Sequence, residues 1–535
     1  MAYYFIMAAI YPFYAPGGYV RIGEVKYVFF RNITLFTLAV LGGIVLLSAL
    51  AGRNKGWIVE QYRRMSVTDW LVYCYCLVVM ISYMCSPYKE SALWGAEGWY
   101  MGVMSQIMFV LIYFFFSRFF RCYSMPCKAG PKTGERRLGL WLAAASGVFL
   151  LGICNRYSVY PVMLEGQTET FISTLGNINW FCGYWSVTAP PGIVLYWCSE
   201  RGAVRVLLAI YSLIAMLSGI TQGSNSAYLV FLVLLAVLFI LSLRSNQKLY
   251  RFLELCMFFM AACQTGKLMQ YLPGLSYNYW GTQTDTGSGI TAVLLTDDPV
   301  AGICSFLFLS GIYVLLRVLE RRGRFVMGRH KWLWGMMAAA VMAAICIVVF
   351  LLMTDNEIIY FREVAGTMEQ DGYLEAVLDE DWGNGRGATW KCGMDAYRSM
   401  DHLHKAVGIG PDCFADYIYD VPELAERMID RFGNLRLTNA HNEWITVLVN
   451  TGAIGLFCYI GIFLTAFVRY LRKGAEQPLL LVFAVTLLTY TVHNMVSFQQ
   501  VLNTPYLFMA LGMGEAEFRT SVSRDHNGCA VEKLC

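Results

Sequence analysis

The feature that most constrains this chain is a series of apolar runs, each long enough to cross the hydrocarbon core of a membrane. Four examples are Ile33–Leu50, Leu138–Cys154, Ala227–Leu243 and Leu333–Met353. A membrane-spanning helix needs about 20 apolar residues. Hydrophobic residues make up 57% of the 535 residues and charged residues 15%, whereas about a quarter of a soluble chain is charged. The sequence therefore predicts one polytopic membrane domain rather than several soluble ones.

The hydropathy pattern predicts an all-α fold with about 12–14 transmembrane helices. The fourteen predicted spans are approximately residues 3–15, 33–50, 69–85, 100–116, 138–154, 180–198, 204–219, 227–243, 252–264, 300–316, 332–353, 442–468, 478–492 and 504–518. The first is either a short span or an interfacial segment. It does not have the features of a signal peptide, because no basic residue precedes it and no cleavage site follows it.

Basic side chains occur in alternate loops between the predicted spans. These loops and the C-terminal tail hold 27 of the 41 Lys and Arg residues. Because cytoplasmic loops of membrane proteins carry the excess of Lys and Arg, we expect both termini to be cytoplasmic and the intervening loops to face outward. The basic residues are dispersed over the membrane face, which argues against a nucleic-acid partner.

One outward loop, Asp355–Ala440, is much longer than the others. It has 86 residues, with 17 Asp and Glu against 8 Lys and Arg, and loops of this length are usually functional or disordered. In its second half, apolar and aromatic residues such as Trp390 and Tyr397 recur at helical spacing, so we expect short helices over the outer mouth of the bundle. The predicted organisation is a helix bundle at 1–354, the large external loop at 355–440, and C-terminal spans with a short cytoplasmic tail at 441–535.

The sequence gives no indication of a cofactor or a metal. The 17 cysteines are scattered, mostly in predicted spans, where Cys acts as a small hydrophobic residue. Their spacing matches no metal site, and the chain has no Walker motif, nucleotide-binding fold or internal repeat. Cys392 and Cys413 share the outer loop and could pair. We predict no metal and no cofactor.

The segment TNAHNEW places His441, Asn442 and Glu443 where a polar segment becomes an apolar span. One interpretation is structural, because Asn and Glu suit a helix start and most polar residues at a membrane boundary are anchors or caps. The other is catalytic: histidine titrates near neutral pH, and a positioned base contributes about 10²–10⁴ in rate. Asn442 would then orient a substrate hydroxyl. Taken alone, the segment favours the structural interpretation.

Four short motifs change this balance. In chain order they are TLGNINWFCGY with Gly176, Asn177 and Asn179, GRGATW with Arg386 and Trp390, AVGIGPDCF with Gly408, Gly410 and Phe414, and His441-Asn442 followed by Gly452 and Gly455. Each motif alone is weak, but the four in this order, all on the predicted outward side, are more specific. Together they resemble the O-antigen ligase/O-antigen polymerase superfamily. The resemblance covers most of the span pattern, and its motifs lie between Thr170 and Leu456.

This resemblance implies a metal-independent, inverting membrane glycosyltransferase. The implied donor is a glycan on undecaprenyl pyrophosphate at the outer face of the bacterial cytoplasmic membrane. The implied acceptor is a sugar hydroxyl on a lipid or on another repeat unit, or a protein side chain. Membrane lipid and other envelope polysaccharide assembly proteins are expected as further partners.

The resemblance also assigns residues. The family's histidine maps onto His441 as general base, and its loop arginine maps onto Arg386 as pyrophosphate ligand. This agrees with chemistry, because an arginine stays charged and presents a planar fork to phosphate oxygens. The expected substrate-binding residues are Asn442, Trp390, Asn225, Asn177, Asn179 and His493.

The chain departs from the family at one position. Many relatives carry Ser-Arg-Gly/Ala at the outer start of a central span, whereas this chain has TQGSNSAYL, with Asn225 in place of the arginine. Asn225 can donate hydrogen bonds but brings no charge, and Ser224-Asn225 also suits a plain helix start. Either donor recognition differs or another outward cation substitutes; the candidates are Arg156, Lys267, Arg362 and Arg398. The loss of this arginine favours a polymerase over a ligase.

Other polar and aromatic residues on the outward side have simpler interpretations. His493 lies at the outer end of the thirteenth span, and an interfacial histidine bonded to a neighbouring carbonyl is favoured over a catalytic one. Tyr277, Tyr279 and Trp280 could stack on sugars, but an aromatic belt is favoured. The acidic run DEDWGN at 379–384 fits a solvated surface better than a cation site.

A transporter, a non-catalytic scaffold and a protein-directed glycosyltransferase are the alternative functional classes. A polysaccharide or lipid-linked oligosaccharide transporter (flippase) also places polar residues within the membrane, but such carriers show two related halves and short loops. A non-catalytic scaffold would not require the loop arginine together with the boundary histidine. A protein-directed O-oligosaccharyltransferase would share the donor chemistry, and the sequence does not separate it from a polymerase or a ligase.

Overall fold

The computed structural model describes residues 2–51, 65–120, 133–168, 170–200, 202–277, 294–295, 299–325, 382–433 and 435–532. In these segments the regular structure consists of helices and one two-stranded antiparallel sheet. Eight of the described helices are long and apolar enough to cross a membrane. This confirms the predicted all-α polytopic fold.

The helices before the predicted outer loop are α1 (Ala2–Phe5), α2 (Ile22–Leu50), α3 (Val67–Cys85), α4 (Lys89–Trp94), α5 (Val103–Phe119), α6 (Thr133–Arg156), α7 (Ile178–Cys198), α8 (Ala203–Thr221), α9 (Asn225–Ser242), α10 (Asn246–Met269) and α11 (Pro299–Arg321). Strands β1 (Phe171–Ile172) and β2 (Gly176–Asn177) form the sheet. Each predicted span up to residue 316 coincides with a helix or with the short helical turns of residues 2–13.

The remaining helices are α12 (Trp382–Ser399), α13 (His402–Val407), α14 (Phe414–Asp420), α15 (Pro422–Phe432), α16 (Glu443–Gly474), α17 (Pro478–His493) and α18 (Thr504–Glu532). Helices α12 to α15 are short helices within the predicted outer loop, and α16 to α18 coincide with the last three predicted spans. The predicted span 332–353 lies outside the described residues.

The chain divides into two compact units. The first unit comprises Met1–Leu140 together with Ala388–Cys535, and the second comprises Trp141–Gly387. The predicted boundaries at residues 354 and 440 were drawn from the expected membrane crossings, whereas these units are defined by contacts within the fold. The predicted boundaries remain a prediction.

In the first unit, α3 runs against α16. Helix α3 begins with a capping box, in which the Ser66 hydroxyl accepts from the Asp69 backbone N–H and the Ser66 N–H donates to Asp69. Near the other end of α3, the Ser82 hydroxyl donates to the Asn450 carbonyl of α16 at 2.8 Å. These bonds satisfy polar groups that would be costly to leave unpaired in an apolar environment.

A buried ion network joins four helices of this unit at the end away from residue 443. Asp69 on α3 contacts Arg118 on α5, at 3.4 Å, and Arg519 on α18. Glu515 on α18 contacts Arg469 on α16, at 2.9 Å, and Arg519 at 3.3 Å. Both carboxylates are fully buried. Because each carboxylate meets two arginines, the charges are paired rather than isolated.

Helices α12, α14 and α15 pack through a shared apolar cluster that includes Ile409, Phe414, Ile418 and Met428. Cys392 and Cys413 are both buried in it, and both are free thiols. The suggestion that they pair is therefore corrected: the two act as small hydrophobic residues. Burial raises the pKa of the Cys392 thiol to about 11.

In the second unit, α7 is the central helix. From Phe181 to Trp197 its residues are buried, including Pro190 and Pro191 within the helix. The Trp185 indole N–H donates to the Ala215 carbonyl of α8 at 2.8 Å, and the Tyr211 hydroxyl donates to the Thr188 carbonyl at 2.5 Å. These bonds fix α7 against α8.

Candidate functional site

The start of α16 is built by two asparagines on either side of His441. The Asn439 side-chain oxygen accepts from the His441 N–H at 2.9 Å. The Asn442 side-chain oxygen accepts from the N–H groups of Trp444 and Ile445, at 3.0 and 3.2 Å, as the N-cap of the helix. Asn442 therefore has a structural task at this helix start, and its predicted role in substrate binding stays a prediction.

His441 has an unusual backbone conformation. Its φ is +49°, a region that few residues other than glycine occupy, although histidine, asparagine and aspartate do so more often than most. The imidazole is half-buried, and its ring lies edge-on to Phe498 with 5.3 Å between ring centroids. Such conformations are kept where the surroundings impose them, and they cluster at functional sites.

Two residues after His441, the buried carboxylate of Glu443 is the centre of a hydrogen-bond network. It accepts from the Tyr459 hydroxyl at 2.5 Å, the Tyr490 hydroxyl at 3.0 Å and the Asn494 amide. The Glu443 backbone N–H also donates to the Asn494 carbonyl at 3.0 Å. This network fixes the start of α16 to α17.

The network extends further through side chains. The Gln499 amide donates to the Tyr459 hydroxyl at 2.7 Å, and the Gln106 amide donates to the Gln499 oxygen at 2.7 Å. Sequence reasoning treated Glu443 only as a first-turn residue. The signal it did not use was an acidic residue at the start of an apolar span, which by itself suggests a functional or paired group.

A small cleft lies beside this helix start, with a cavity volume of about 30 Å³. Its lining includes Trp99, Asp412, Glu443, Asn450, Phe498 and Gln499. A volume of this size holds a water or a hydroxyl group rather than a sugar ring. Asn450 is buried, and its side-chain oxygen has no hydrogen-bond partner among the described residues. Phe498 is shared by the cleft and His441.

Asp412 is the second carboxylate of the cleft. One of its oxygens accepts from the Ala96 N–H at 2.8 Å and from the Met101 N–H at 2.9 Å. Burial raises the pKa of this carboxyl to about 7, although the two N–H donors favour the charged form. The sequence analysis singled out the motif AVGIGPDCF, which contains Asp412, but did not name Asp412 as a site residue.

The two glycine motifs meet in the first unit. The Ile409 N–H donates to the Val449 carbonyl, and the Gly410 N–H donates to the Asn450 carbonyl, both at 3.1 Å. Gly452 has φ of +69° inside α16, and a Cβ there would lie 2.4 Å from the Ala406 carbonyl. The close approach of backbones therefore explains why glycines stand in both motifs.

Helix α12 is tied to the same segment. The Thr389 hydroxyl donates to the Ala440 carbonyl, next to His441, at 2.9 Å. The following residue, Trp390, is buried. Arg386 lies three residues before Thr389, in the first turns of α12, and burial lowers the pKa of its guanidinium. It remains charged near neutral pH, because an arginine does not lose its proton in proteins.

His493 ends α17 and is fully buried. Its Nδ1 lies 2.7 Å from the side-chain oxygen of Asn494, whose amide group donates to Glu443. This contact agrees with the bond to a neighbouring carbonyl that the sequence favoured. His493 is linked to the α16 start through Asn494.

The other predicted residues belong to the second unit. The Asn177 side chain accepts from the Asn179 N–H at 2.8 Å, as the N-cap of α7. The Ser224 hydroxyl lies 3.3 Å from the Asn179 side-chain oxygen. Asn225 is the first residue of α9, and its buried side-chain oxygen has no partner among the described residues. The two motifs, 176–179 and 224–225, are therefore adjacent.

Three of the four candidate substitutes for the family's arginine are described. Arg156 is fully buried in the second unit and donates to the Thr221 carbonyl at 2.9 Å, just before Asn225 in the chain. Lys267 is also buried there. Arg398 is exposed and pairs with Asp395 at 3.0 Å. Arg362, Tyr279 and Trp280 lie outside the described residues.

Comparison with known proteins adds one finding. Residues 288–460 match the family model described as O-antigen ligase. No curated protein matches the chain. The matched segment contains α12 to α15 and the residues from His441 to Gly455, and thus three of the four motifs. The match confirms the resemblance inferred from those motifs.

Proposed function

We propose that this protein transfers glycan from undecaprenyl pyrophosphate to a growing polysaccharide. The premise is that the chain carries an O-antigen ligase domain and thereby belongs to the O-antigen ligase-related superfamily. The family indicates, in general, an integral membrane glycosyltransferase of ligase or polymerase type that uses a lipid-linked glycan. The proposal goes further than the family in three respects. It specifies the donor, it places the reaction at the outer face of the bacterial cytoplasmic membrane, and it requires no metal.

The proposed reaction is a single displacement at the anomeric carbon. The acceptor hydroxyl oxygen forms a bond to this carbon while the bond from the carbon to the phosphate oxygen breaks. The electron pair leaves with undecaprenyl pyrophosphate, and a ring nitrogen of His441 takes the hydroxyl proton. One displacement inverts the anomeric configuration. Because pyrophosphate is a good leaving group, the leaving side needs a cation more than an acid, and Arg386 is assigned this role.

The observation that supports this proposal most directly is the fixed position of His441. Asn439, Phe498 and the Glu443 network hold the residue in a left-handed conformation beside a cleft that accommodates a hydroxyl group. A base that is held before the substrate arrives loses little freedom in the transition state. A helix start that served only as a membrane anchor would not require this conformation.

Within the family, we favour a polymerase over a ligase. The family's second arginine is replaced by Asn225, so donor recognition is expected to differ from that of the better-known ligases. A protein-directed oligosaccharyltransferase would use the same donor chemistry, and a transporter would move the same lipid without cleaving it. These three alternatives are separated by the acceptor and by the leaflet in which product appears.

The test is a transfer assay in reconstituted membranes, with undecaprenyl-pyrophosphate repeat units as the only substrate. Wild type is compared with His441→Asn, because asparagine tolerates a positive φ and removes the base. We expect a ladder of longer lipid-linked chains from the wild type, and about 10²–10⁴ less product from the variant. His402→Asn, at an exposed histidine of α13, is the matched control and should leave the ladder unchanged.

Each other outcome has a distinct meaning. Transfer that appears only after a lipid or protein acceptor is added would identify a ligase or a protein glycosyltransferase. Glycan lipid in the opposite leaflet without any transfer would identify a transporter and contradict the proposal. A normal ladder from His441→Asn would show that His441 is not the base.

A further inference from the structure

A second concave surface lies in the first unit, outside the cleft beside His441. This groove, called here the Tyr88 groove, has a cavity volume of about 570 Å³. Its lining includes Tyr88, Asp416, Tyr419, Asp420, Leu435 and Arg436. Ligand sites typically occupy roughly 300–1,000 Å³, so this groove, unlike the cleft, has room for more than one sugar ring.

The polar groups of the Tyr88 groove are held in place by bonds to one another. Arg436 donates to Asp416 at 2.8 Å, and its guanidinium lies 5.4 Å from the centre of the Tyr419 ring. The Tyr88 hydroxyl donates to Asp420 at 2.8 Å. Asp416 and Asp420 are one helical turn apart on α14 and thus lie on one face. Fixed planar groups lose little conformational entropy when a ligand binds.

The position of Tyr419 is also fixed. Its hydroxyl donates to the Leu435 carbonyl at 3.4 Å and accepts from the Leu437 N–H at 3.1 Å. With its polar end occupied by the protein, the ring itself is what the residue offers to a ligand. The groove therefore combines two tyrosines with carboxylate oxygens that retain open lone pairs.

This combination fits a sugar chain of a particular class. A pyranose has apolar C–H faces, which suit an aromatic ring, and hydroxyl donors, which suit carboxylate acceptors. The charged lining residues are two aspartates and one arginine that is already paired with Asp416. A phosphate or a uronic acid would meet excess negative charge, whereas a neutral or amino sugar would not.

The Tyr88 groove adjoins the cleft through one short segment. Asp412 lines the cleft, and Asp416 lines the groove four residues later. Tyr88 lies three residues after the last residue of α3, at the end of α3 where Ser82 bonds to α16. A glycan whose reacting sugar lies beside the cleft would therefore have its next sugars near the groove.

We propose that the Tyr88 groove binds the neutral or amino sugars of the glycan chain that follow the reacting sugar. The biological role of this groove rests on the proposed glycosyl transfer. The binding of sugars to the groove can be measured without any transfer. The groove would retain the growing chain between transfer steps, and so it would influence product length more than the rate of a single transfer.

The first test measures binding without catalysis. The full-length protein in lipid nanodiscs is mixed with neutral hexasaccharides of glucose, mannose, galactose or N-acetylglucosamine, and with hexagalacturonate as the anionic counterpart. Saturation-transfer NMR reports the contact. We expect at least one neutral hexasaccharide to bind and hexagalacturonate not to bind. Binding of none of the neutral probes, or strongest binding of hexagalacturonate, would overturn the proposal.

The second test uses variants. Asp416→Asn with Asp420→Asn removes both carboxylates and keeps side chains of similar size, and we expect binding to weaken about tenfold. The matched control is Glu423→Gln with Glu426→Gln, which removes two exposed carboxylates of α15 that do not line the groove. Equal binding by the two double variants would overturn the proposal, even if the protein carries a glycan site elsewhere.

The transfer assay then separates this inference from the proposed function. With lipid-linked repeat units, the Asp416/Asp420 variant should make shorter chains while the first transfer step keeps its rate. Binding that depends on these aspartates, with no transfer by the wild type, would contradict the proposed function and support the groove. Wild-type chain lengths in the variant would overturn the groove and leave the proposed function intact.

Discussion

Asp412 is a single carboxylate that joins two distant parts of the chain. It follows the Gly408–Gly410 turn, and its two hydrogen-bond donors, Ala96 and Met101, lie in the loop between α4 and α5. Its φ of +61° is in the left-handed region, like that of His441. A residue that is buried, strained and able to titrate near pH 7 makes this loop contact sensitive to pH.

Replacing Asp412 with Asn is expected to remove this pH dependence. The native carboxyl keeps its proton up to about pH 7, whereas an unfolded aspartate releases it near 3.8. The stability that the raised pKa contributes is therefore full below about pH 4 and is lost as the pH rises to about 7. An asparagine can still accept the two N–H bonds and does not titrate.

The measurement is thermal unfolding of wild type and Asp412→Asn in detergent at pH 5 and pH 8. The melting temperature of the variant, relative to wild type, should be higher at pH 8 than at pH 5. Asp430→Asn, at an exposed position on α15, serves as the control and should show no such change. A constant difference between Asp412→Asn and wild type at both pH values would contradict the prediction.

Sequence reasoning proposed site residues whose chemistry shows in a local motif. His441, Asn442 and Trp390 lie where the motifs placed them, at the start of α16 and on the helix tied to it. Glu443 and Asp412 were missed as site residues because their importance comes from partners far away in sequence. Asp412 is more than 300 residues from Met101, and no local pattern contains that contact.

At the scale of helices and turns, the backbone around Gly408 packs closely against the backbone of α16 around Gly452. A Cβ at Gly408 would lie 2.3 Å from the Asn450 carbonyl, and one at Gly452 would lie 2.4 Å from the Ala406 carbonyl. Both glycines have positive φ, +81° and +69°. An added methyl group would meet rigid backbone and also a strained conformation.

We expect Gly408→Ala and Gly452→Ala each to destabilise the protein by about 3 kcal/mol or more. The measurement is the melting temperature and the yield of folded protein in detergent. Gly42→Ala on α2 is the control, because a Cβ there meets nothing within 4 Å, and helix propensity even favours the alanine. A wild-type melting temperature for Gly452→Ala would refute the backbone contact.

The ion network around Asp69 and Glu515 supports a second prediction about helices. Asp69→Ala would leave Arg118 and Arg519 without a shared carboxylate in a buried place, and we expect a loss of about 3–5 kcal/mol. Glu476→Ala removes an exposed carboxylate 3.4 Å from Lys473 and should cost less than about 1 kcal/mol. Chemical unfolding of the two variants in mixed micelles compares the losses, and similar values would argue against the network.

The helices themselves were predictable because their signal is local. Apolar runs and caps lie within some 20 residues of each other, so the predicted spans coincide with described helices such as α3 and α16. The starts were less accurate: α2 begins at Ile22, eleven residues before the predicted span at 33. The first residues of α2 include polar ones such as Glu24. A prediction based on apolar runs therefore placed the start of the helix too late.

At the scale of the whole molecule, the predicted orientation can be tested with reporter fusions. Alkaline phosphatase is active only outside the cytoplasmic membrane, and a green fluorescent reporter exported in unfolded form is fluorescent only inside it. We expect phosphatase activity for a fusion at Gly433 and fluorescence for fusions at Ala475 and Cys535. Phosphatase activity at Ala475 would reverse the orientation inferred from the Lys and Arg residues.

The arrangement of the chain into units was not predictable from hydropathy. The pattern of spans gives their order but not their partners, and the linear division at 354 and 440 follows from that order alone. In the structure, residues 1–140 form one unit with residues 388–535. The association of these two segments depends on pairings such as Asp69 with Arg519 and Gln106 with Gln499. Each pairing joins residues that are hundreds of positions apart.

This interleaved arrangement has a consequence for how the protein is made. A ribosome adds roughly 5–20 residues per second, so Asp69 and Gln106 enter the membrane many seconds before their partners Arg519 and Gln499 exist. During that interval, two early helices carry buried polar groups that lipid cannot satisfy. The first unit can close only near the end of translation, so we expect chains that stop before Gln499 to be recognised as unfinished and degraded.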